Sequence, residues 1–197
     1  MHRLSSSFVL GYHGCDHDVG ERLIDGEAFT ASRNEYDWLG EGVYFWEANP
    51  LRALQFAAEW ADRGKIKIPY VVGAVIELGY CLDLTSSTGV AAITYAYQDF
   101  LSYCEKANTP VPQNHGGADR LLRKLDCAVV NHLHKVLEIG KHPAFDTVKG
   151  IFIEGRPVYE NSGFYEKSRA DLRSQSRLHQ RHFSRSRRSF EASRVIS

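Results

Sequence analysis

The sequence has little that indicates a metal centre or a disulfide framework. It contains only four cysteines in 197 residues, with no Cys-x-x-Cys pair and no histidine at zinc-finger spacing. His13 and His17 are four residues apart, but Gly14 and its β-prone neighbours argue against the helix on which they could share a metal. We therefore expect no metal. With no secretory signal, four separated thiols fit reduced, buried cysteines in a cytoplasmic protein: Cys15, Cys81, Cys104 and Cys127.

Long apolar runs are also missing. The N-terminal apolar run is only Phe8-Val9-Leu10, which is too short for a secretory signal. No stretch approaches the roughly 18 apolar residues of a membrane helix. Because 43% of the residues are hydrophobic, we expect a soluble protein with one domain and a sizeable core, and no membrane partner.

Net charge is absent too, but this conceals an asymmetry. Residues 168–197 hold eight of the 24 basic residues and only two of the 24 acidic ones. Arginine and serine dominate there, without apolar periodicity. We therefore predict a folded domain over residues 1–167 and a disordered basic tail over residues 168–197.

Within residues 1–167 the sequence predicts both strands and helices, and we expect an α+β domain. Strands are expected at residues 8–13, 43–46, 69–84 and 147–154. Helices are expected at residues 18–27, 50–63, 89–106 and 118–138, the second and fourth with broad apolar faces.

The most informative stretch is residues 37–62. Gly40 and Gly42 allow the backbone to bend beside a ligand, and Asn49-Pro50 is a typical helix start. Aromatic residues beside a glycine turn pack in a core more often than they bind a ligand. The residues alone therefore leave both interpretations open.

Two motifs carry a resemblance. Residues 40–47, G-E-G-V-Y-F-W-E, followed by a helix, resemble the second motif of the ADP-ribosyltransferases related to diphtheria toxin and the poly(ADP-ribose) polymerases. Upstream, Tyr12-His13-Gly14 resembles the first motif of that family. The resemblance implies an ART-like split β-sheet with flanking helices around an NAD+ cleft, and NAD+ as the co-substrate.

The resemblance also implies roles for single residues. His13 would hold the nicotinamide ribose, the Gly14 backbone the carboxamide, and Tyr44 would stack on the nicotinamide. Phe45 belongs to the same strand of the binding site, and Phe56 could close the other side of the slot. Ser32 and Arg33 would face the adenosine half of NAD+. Around Arg52 and Ala53 the sequence departs from the family's S-K-S, which removes a hydroxyl that would grip the carboxamide.

The family's third motif, a Glu or Gln at the head of a late strand, is not intact. Asp171 is our candidate for this catalytic position beside His13 and Tyr44. Glu154, Glu160 and Glu166 remain alternatives, because none of the four heads a convincing strand.

The resemblance favours a mono-ADP-ribosyltransferase that transfers ADP-ribose from NAD+ to a macromolecular acceptor, protein or nucleic acid, and releases nicotinamide. A toxin or phage-conflict role would imply an antitoxin or immunity protein as a partner. One alternative is a catalytically inactive NAD+-binding module, which the missing third motif favours. Another is a nucleic-acid-binding protein that uses the Arg-rich tail.

The tail suggests one further hypothesis. Residues from about Arg169 onward can be encoded so that moving one base gives A-Q-I-C-V-R-S-P-D, a β-prone segment with Gln in the third-motif position. The tail would then be a frameshifted reading of the family's last strands. On this hypothesis we expect the sheet to lack a central strand and to have an unpaired edge.

Overall fold

The computed structural model of the protein describes residues 8–116, 122–167 and 169–174. These residues form a mixed α+β fold in which four helices accompany a mostly antiparallel six-stranded sheet. In this described part of the chain, no helix is both long and apolar enough to cross a membrane. The elements are β1 (Phe8–Asp16), α1 (His17–Ile24), β2 (Val43–Glu47), α2 (Pro50–Asp62), β3 (Pro69–Glu77), β4 (Cys81–Asp83), α3 (Ser87–Lys106), β5 (Asn114–His115), β6 (Leu122–Arg123), α4 (Lys124–Ile139), β7 (Thr147–Phe152) and β8 (Arg169–Ser174).

The large sheet has the strand order β3-β1-β2-β8-β7-β4. Neighbouring strands are antiparallel except for β4 and β7, which are parallel. Strands β5 and β6 form a separate two-stranded sheet. The large sheet therefore carries β1 and β2, which hold both sequence motifs, side by side near its middle.

Helix α2 begins where the sequence predicted. The Asn49 side chain accepts a hydrogen bond from the Arg52 backbone N–H, and Pro50 occupies the first turn, where its missing N–H is not needed. The helix packs on β1 and β3. Its predicted apolar face is partly wrong, because Leu51 is 71% exposed whereas Arg52 is 6% exposed.

The start of α4 also differs from the prediction. It begins at Lys124, whereas apolar periodicity predicted a start at Ala118. Leu122 and Arg123 pair with β5 instead of entering the helix. Residues 117–121 lie outside the described part of the chain.

Alternate residues of β2 pack on opposite faces of the large sheet. Tyr44 packs against a cluster that includes Leu39 and Val148. Phe45 belongs to a second cluster, with Phe29 packed against it. The two faces of β2 thus contribute to two separate parts of the core.

Strand β8 corrects the predicted domain boundary. Residues 169–174 pair with β2 on one side and β7 on the other, so they are a central strand and not part of a disordered tail. The missing central strand that followed from the frameshift hypothesis is present, because β8 pairs with both β2 and β7. A packed strand here counts against a shifted reading that starts at Arg169.

The sequence did not indicate this strand, because two of its buried residues are charged: Asp171 is 5% exposed and Arg173 is 3% exposed. Leu172 is the only large apolar residue of the strand. Two neighbouring strands satisfy the backbone of this segment despite its polar sequence. Residues 175–197 lie outside the described residues.

Candidate functional site

Strands β1 and β2 diverge at the two sequence motifs. β1 pairs with β3 along its whole length, from Phe8 to Asp16, but its ladder with β2 consists of Gly11 and Tyr12 only. β2 nevertheless continues and pairs with β8 from Val43 to Trp46. The sheet is therefore split between β1 and β2 beyond Tyr12.

The direction of the Gly14 backbone follows from the pairing of β1 with β3. Pro69 lies opposite Asp16 and cannot donate, and the next bond runs from His17 N to Ile68 O at 2.9 Å. Asp16 and Pro69 are thus a non-hydrogen-bonded pair. Along β1, residues that form hydrogen bonds with β3 alternate with residues that do not. Gly14 is two residues before Asp16 and therefore also forms none with β3, so its N–H and C=O point away from that strand.

These two groups point to the side of β2, where the ladder has already ended. Leu10, which has the same orientation, accepts a bond from Ala48 N at 2.8 Å on that side. Gly14 therefore presents one backbone donor and one backbone acceptor to the split.

His13 bridges the split. Its Nδ1 lies 2.9 Å from the Tyr44 carbonyl oxygen, which can only accept, so Nδ1 carries the proton. Burial lowers the pKa of His13, while the bond to Tyr44 O acts in the opposite direction. The neutral ring therefore has Nε2 as a hydrogen-bond acceptor at neutral pH. The ring lies edge-on to Phe29 at 5.4 Å and beside Phe45 at 5.8 Å.

Helix α2 covers Gly14 closely. A Cβ atom at Gly14 would lie 2.3 Å from the Ala53 carbonyl oxygen and 3.5 Å from Ala57 Cβ. Only glycine permits this approach of a strand to a helix backbone. The same contact places the first turns of α2 directly beside the split.

The Tyr44 side chain is held in the core. Its hydroxyl donates to Gly40 O and accepts from Leu39 N, both at 2.9 Å, and burial raises its pKa. Tyr44 thus closes the turn that precedes β2. His13 and Tyr44 meet through the Tyr44 carbonyl, and their rings lie on opposite faces of the sheet.

Phe56 does not face Tyr44 across a slot. Its ring packs on Trp46 at 4.8 Å and on Trp60 at 5.4 Å. Phe56, which was predicted to close the slot opposite Tyr44, therefore packs at the end of β2.

Asp171 lies on the same face of the sheet as Tyr44. It pairs with Trp46 of β2 and Gly150 of β7, and its Oδ2 accepts a bond from Trp38 Nε1 at 3.2 Å. The structure therefore brings Asp171 and Tyr44 to neighbouring strands, whereas the His13 ring occupies the other face.

The alternative carboxylates are placed differently. Glu154 is partly buried and lies in an ion-pair network with Arg52. Glu160 and Glu166 are exposed in the connection from β7 to β8, and Glu166 lies 3.9 Å from Arg156. Of the four candidates, Asp171 alone lies on a strand adjacent to β2.

Ser32 and Arg33 lie beside the turn before β2. Ser32 exchanges two backbone bonds with Gly42, at 2.8 and 3.0 Å. Arg33 is 79% exposed and lies 3.8 Å from Glu41, a weak surface pair. The loop that contains Ser32 and Arg33, which was predicted to face NAD+, is thus hydrogen-bonded to the second motif through Gly42.

The thiols of Cys15 and Cys127 are not activated. Burial, aided by the Asp16 charge, raises the pKa of Cys15 to about 11. Burial, with the Asp37 charge, raises the pKa of Cys127 to about 11 as well. Both thiols are therefore protonated at neutral pH and poor nucleophiles.

Sequence reasoning missed Arg52 and Trp46. Both are buried, at 6% and 7% exposure, and the Arg52 guanidinium lies 6.0 Å from the centre of the Trp46 indole ring. The available signal was a basic residue directly before Ala53, one of the small residues that pack α2 onto β1.

Comparison of the chain with protein-family models, with curated proteins and with solved structures gives no significant match.

Proposed function

We propose that the protein is a mono-ADP-ribosyltransferase that uses NAD+ as co-substrate. The observation that carries the proposal is the split between β1 and β2, where Gly14 presents one N–H and one C=O. A primary carboxamide needs one donor and one acceptor from its partner. The nicotinamide end of NAD+ carries such a group.

His13 supports the same assignment. With Nδ1 bound to Tyr44 O, its Nε2 can accept a hydrogen bond from a ribose hydroxyl. The lowered pKa keeps the ring neutral, so that it adds no positive charge beside cationic nicotinamide. The ring is held by Phe29 and Phe45, which lowers the entropy cost of positioning it.

The proposed reaction breaks the bond between nicotinamide N1 and ribose C1′. The bonding electron pair leaves with nicotinamide, and positive charge develops on the ribose. A nucleophile of the acceptor then bonds to C1′ and loses its proton. The anion that would stabilise this charge is not assigned to Asp171, because the Asp171 carboxylate accepts a bond from Trp38 on the face of the sheet opposite the His13 ring.

The test measures nicotinamide release and transfer of labelled ADP-ribose to protein and nucleic-acid fractions of a lysate. We expect His13→Ala to abolish both. The matched control is His142→Ala, at an exposed position, which should retain wild-type activity. Equal loss in both variants, or activity that survives His13→Ala, contradicts the proposal.

A second candidate function is NAD+ binding without transfer. Asp171 is 5% exposed and its carboxylate is engaged by Trp38, which favours a structural role. Equilibrium dialysis with NAD+ that gives saturable binding, together with no nicotinamide release, would select this candidate.

The acceptor is proposed to be a macromolecule, with protein and nucleic acid distinguished by the labelled fractions. An antitoxin or immunity protein remains a proposed partner. The Arg-rich stretch that suggested nucleic-acid binding lies largely outside the described residues. Loss of salt-sensitive nucleic-acid binding on deletion of residues 175–197 would support that third interpretation.

A further inference from the structure

Helix α2 and strand β2 hold two buried N–H groups without an acceptor among the described residues. They are Nε1 of Trp46 and Nε of Arg52, whereas Arg52 Nη1 lies 3.4 Å from Glu59 Oε1. Buried donors are nearly always paired, because an unmade hydrogen bond leaves their desolvation uncompensated. Two such donors on two neighbouring side chains therefore indicate a missing acceptor.

The position of Arg52 relates these donors to the split. Arg52 precedes Ala53, whose carbonyl oxygen lies over Gly14. Trp46 is paired with Tyr12 on β1, two residues before Gly14. The residues that carry the donors are therefore neighbours of residues that border the split: Arg52 adjoins Ala53, and Trp46 pairs with Tyr12.

The surrounding charges limit what the acceptor can be. Arg52 Nη2 lies 3.5 Å from Glu59 Oε2 and 3.4 Å from Glu154 Oε2. Lys167 lies 3.4 Å from Glu59 and 3.8 Å from Glu154. Two cations are thus already balanced by two carboxylates.

A phosphate or diphosphate here would add uncompensated negative charge beside these carboxylates, which is costly in a buried site. An uncharged oxygen adds a hydrogen-bond acceptor and no charge. The cluster therefore favours a carbonyl or hydroxyl oxygen over an anionic group.

We infer that Trp46 and Arg52 form a ligand-binding donor pair for an uncharged oxygen of the substrate. The inference rests on the proposed function, under which that oxygen belongs to the nicotinamide carboxamide or to the adjoining ribose. The two residues would select for a ligand with this oxygen, and they would not bind the diphosphate.

The test follows the indole N–H signals of the full chain by ¹H–¹⁵N correlation spectroscopy. The three tryptophans include an internal control, because Trp38 Nε1 already donates to Asp171. We expect nicotinamide or ADP-ribose to shift the Trp46 signal downfield while the Trp38 signal moves little. A shift with nicotinamide identifies the carbonyl oxygen, and a shift with ADP-ribose alone identifies a ribose hydroxyl. Inorganic pyrophosphate should leave the signal unchanged.

Two variants remove the donors separately. Trp46→Phe keeps an aromatic ring without the N–H, and Arg52→Lys keeps a charge for Glu59 and Glu154 without the planar donors. Each should weaken binding of the effective probe roughly tenfold. Arg22→Lys is the matched control, at a half-exposed ion pair with Glu27, and should bind as wild type. If Arg52→Lys fails to fold by circular dichroism, Trp46→Phe decides.

The outcomes separate this inference from the proposed function. Saturable NAD+ binding that shifts the Gly14 amide signal, with an unmoved Trp46 signal and wild-type affinity in both donor variants, overturns the inference alone. A Trp46 shift with pyrophosphate overturns the preference for an uncharged oxygen. No binding of NAD+, nicotinamide or ADP-ribose contradicts the proposed function and the inference together.

Discussion

Replacing Gly14 with alanine tests the close contact between β1 and α2. The new Cβ would lie 2.3 Å from Ala53 O, and an ordinary contact begins near 3.4 Å, so strand and helix must separate by about 1 Å. The obstacle is backbone and cannot rotate away. Overpacking of this kind costs about 1–3 kcal/mol, which is a fall in melting temperature of roughly 2–12 °C for a chain of this size.

Gly73→Ala is the matched control on the paired strand β3. Its Cβ would meet Tyr12 Cε1 at 3.4 Å, an ordinary contact, and alanine is favoured over glycine in a strand by about 0.5–1 kcal/mol. We expect Gly73→Ala to be neutral or stabilising in thermal and urea unfolding. If Gly14→Ala proves as stable as Gly73→Ala, the close packing of α2 on β1 is wrong.

Two further predictions concern titration and thiol reactivity. Burial and the Arg173 charge lower the pKa of His134 to about 4. Between pH 6.5 and 4 the unfolded state therefore binds the proton that the folded state excludes, and stability should fall as pH falls. The shift corresponds to at most about 3 kcal/mol, and partial exposure reduces the expected effect to about 1–2 kcal/mol. Urea unfolding at several pH values measures the free energy of unfolding against pH. His134→Gln should lose the part of this pH dependence that comes from His134, and an unchanged pH dependence in the variant refutes the prediction. For Cys15 and Cys127, with pKa values of about 11, we expect labelling by a disulfide reagent at pH 7.5 to be far slower than in urea, and rapid native labelling would contradict their burial.

Local chemistry explains what the sequence predicted well. The Asn49-Pro50 pair marked the start of α2, where the Asn49 side chain accepts a hydrogen bond from Arg52 N, as a helix cap should. Aromatic and β-branched residues marked β2. These features depend on residues within a few positions of one another, so they can be predicted from the sequence.

Features set by distant contacts were not predictable. Strand β8 is defined by its pairing with β2 and β7. Its buried Asp171 and Arg173 make its sequence unlike that of a central strand. The Tyr44 ring faces the core because its hydroxyl meets Leu39 and Gly40. Neither the register of β8 nor the face of the Tyr44 ring follows from motif spacing.

The candidate site contains features of both kinds, those that local sequence predicts and those that only distant contacts determine. Tyr12-His13-Gly14 was identified as a motif, but the predicted strand ended at His13, whereas β1 continues to Asp16. Only the pairing of β1 with β3 shows that Gly14 points into the split. The buried donor of Arg52 was missed because periodicity placed apolar neighbours on that face.

The most direct test of the central claim follows the backbone amide of Gly14. Protein labelled with ¹⁵N-glycine would be titrated with NAD+ and with nicotinamide, with Gly73 on β3 as the reference signal. The account predicts a saturable shift of the Gly14 signal with both ligands and little change at Gly73. Saturable NAD+ binding that leaves Gly14 unmoved, or no binding at millimolar NAD+, would contradict it.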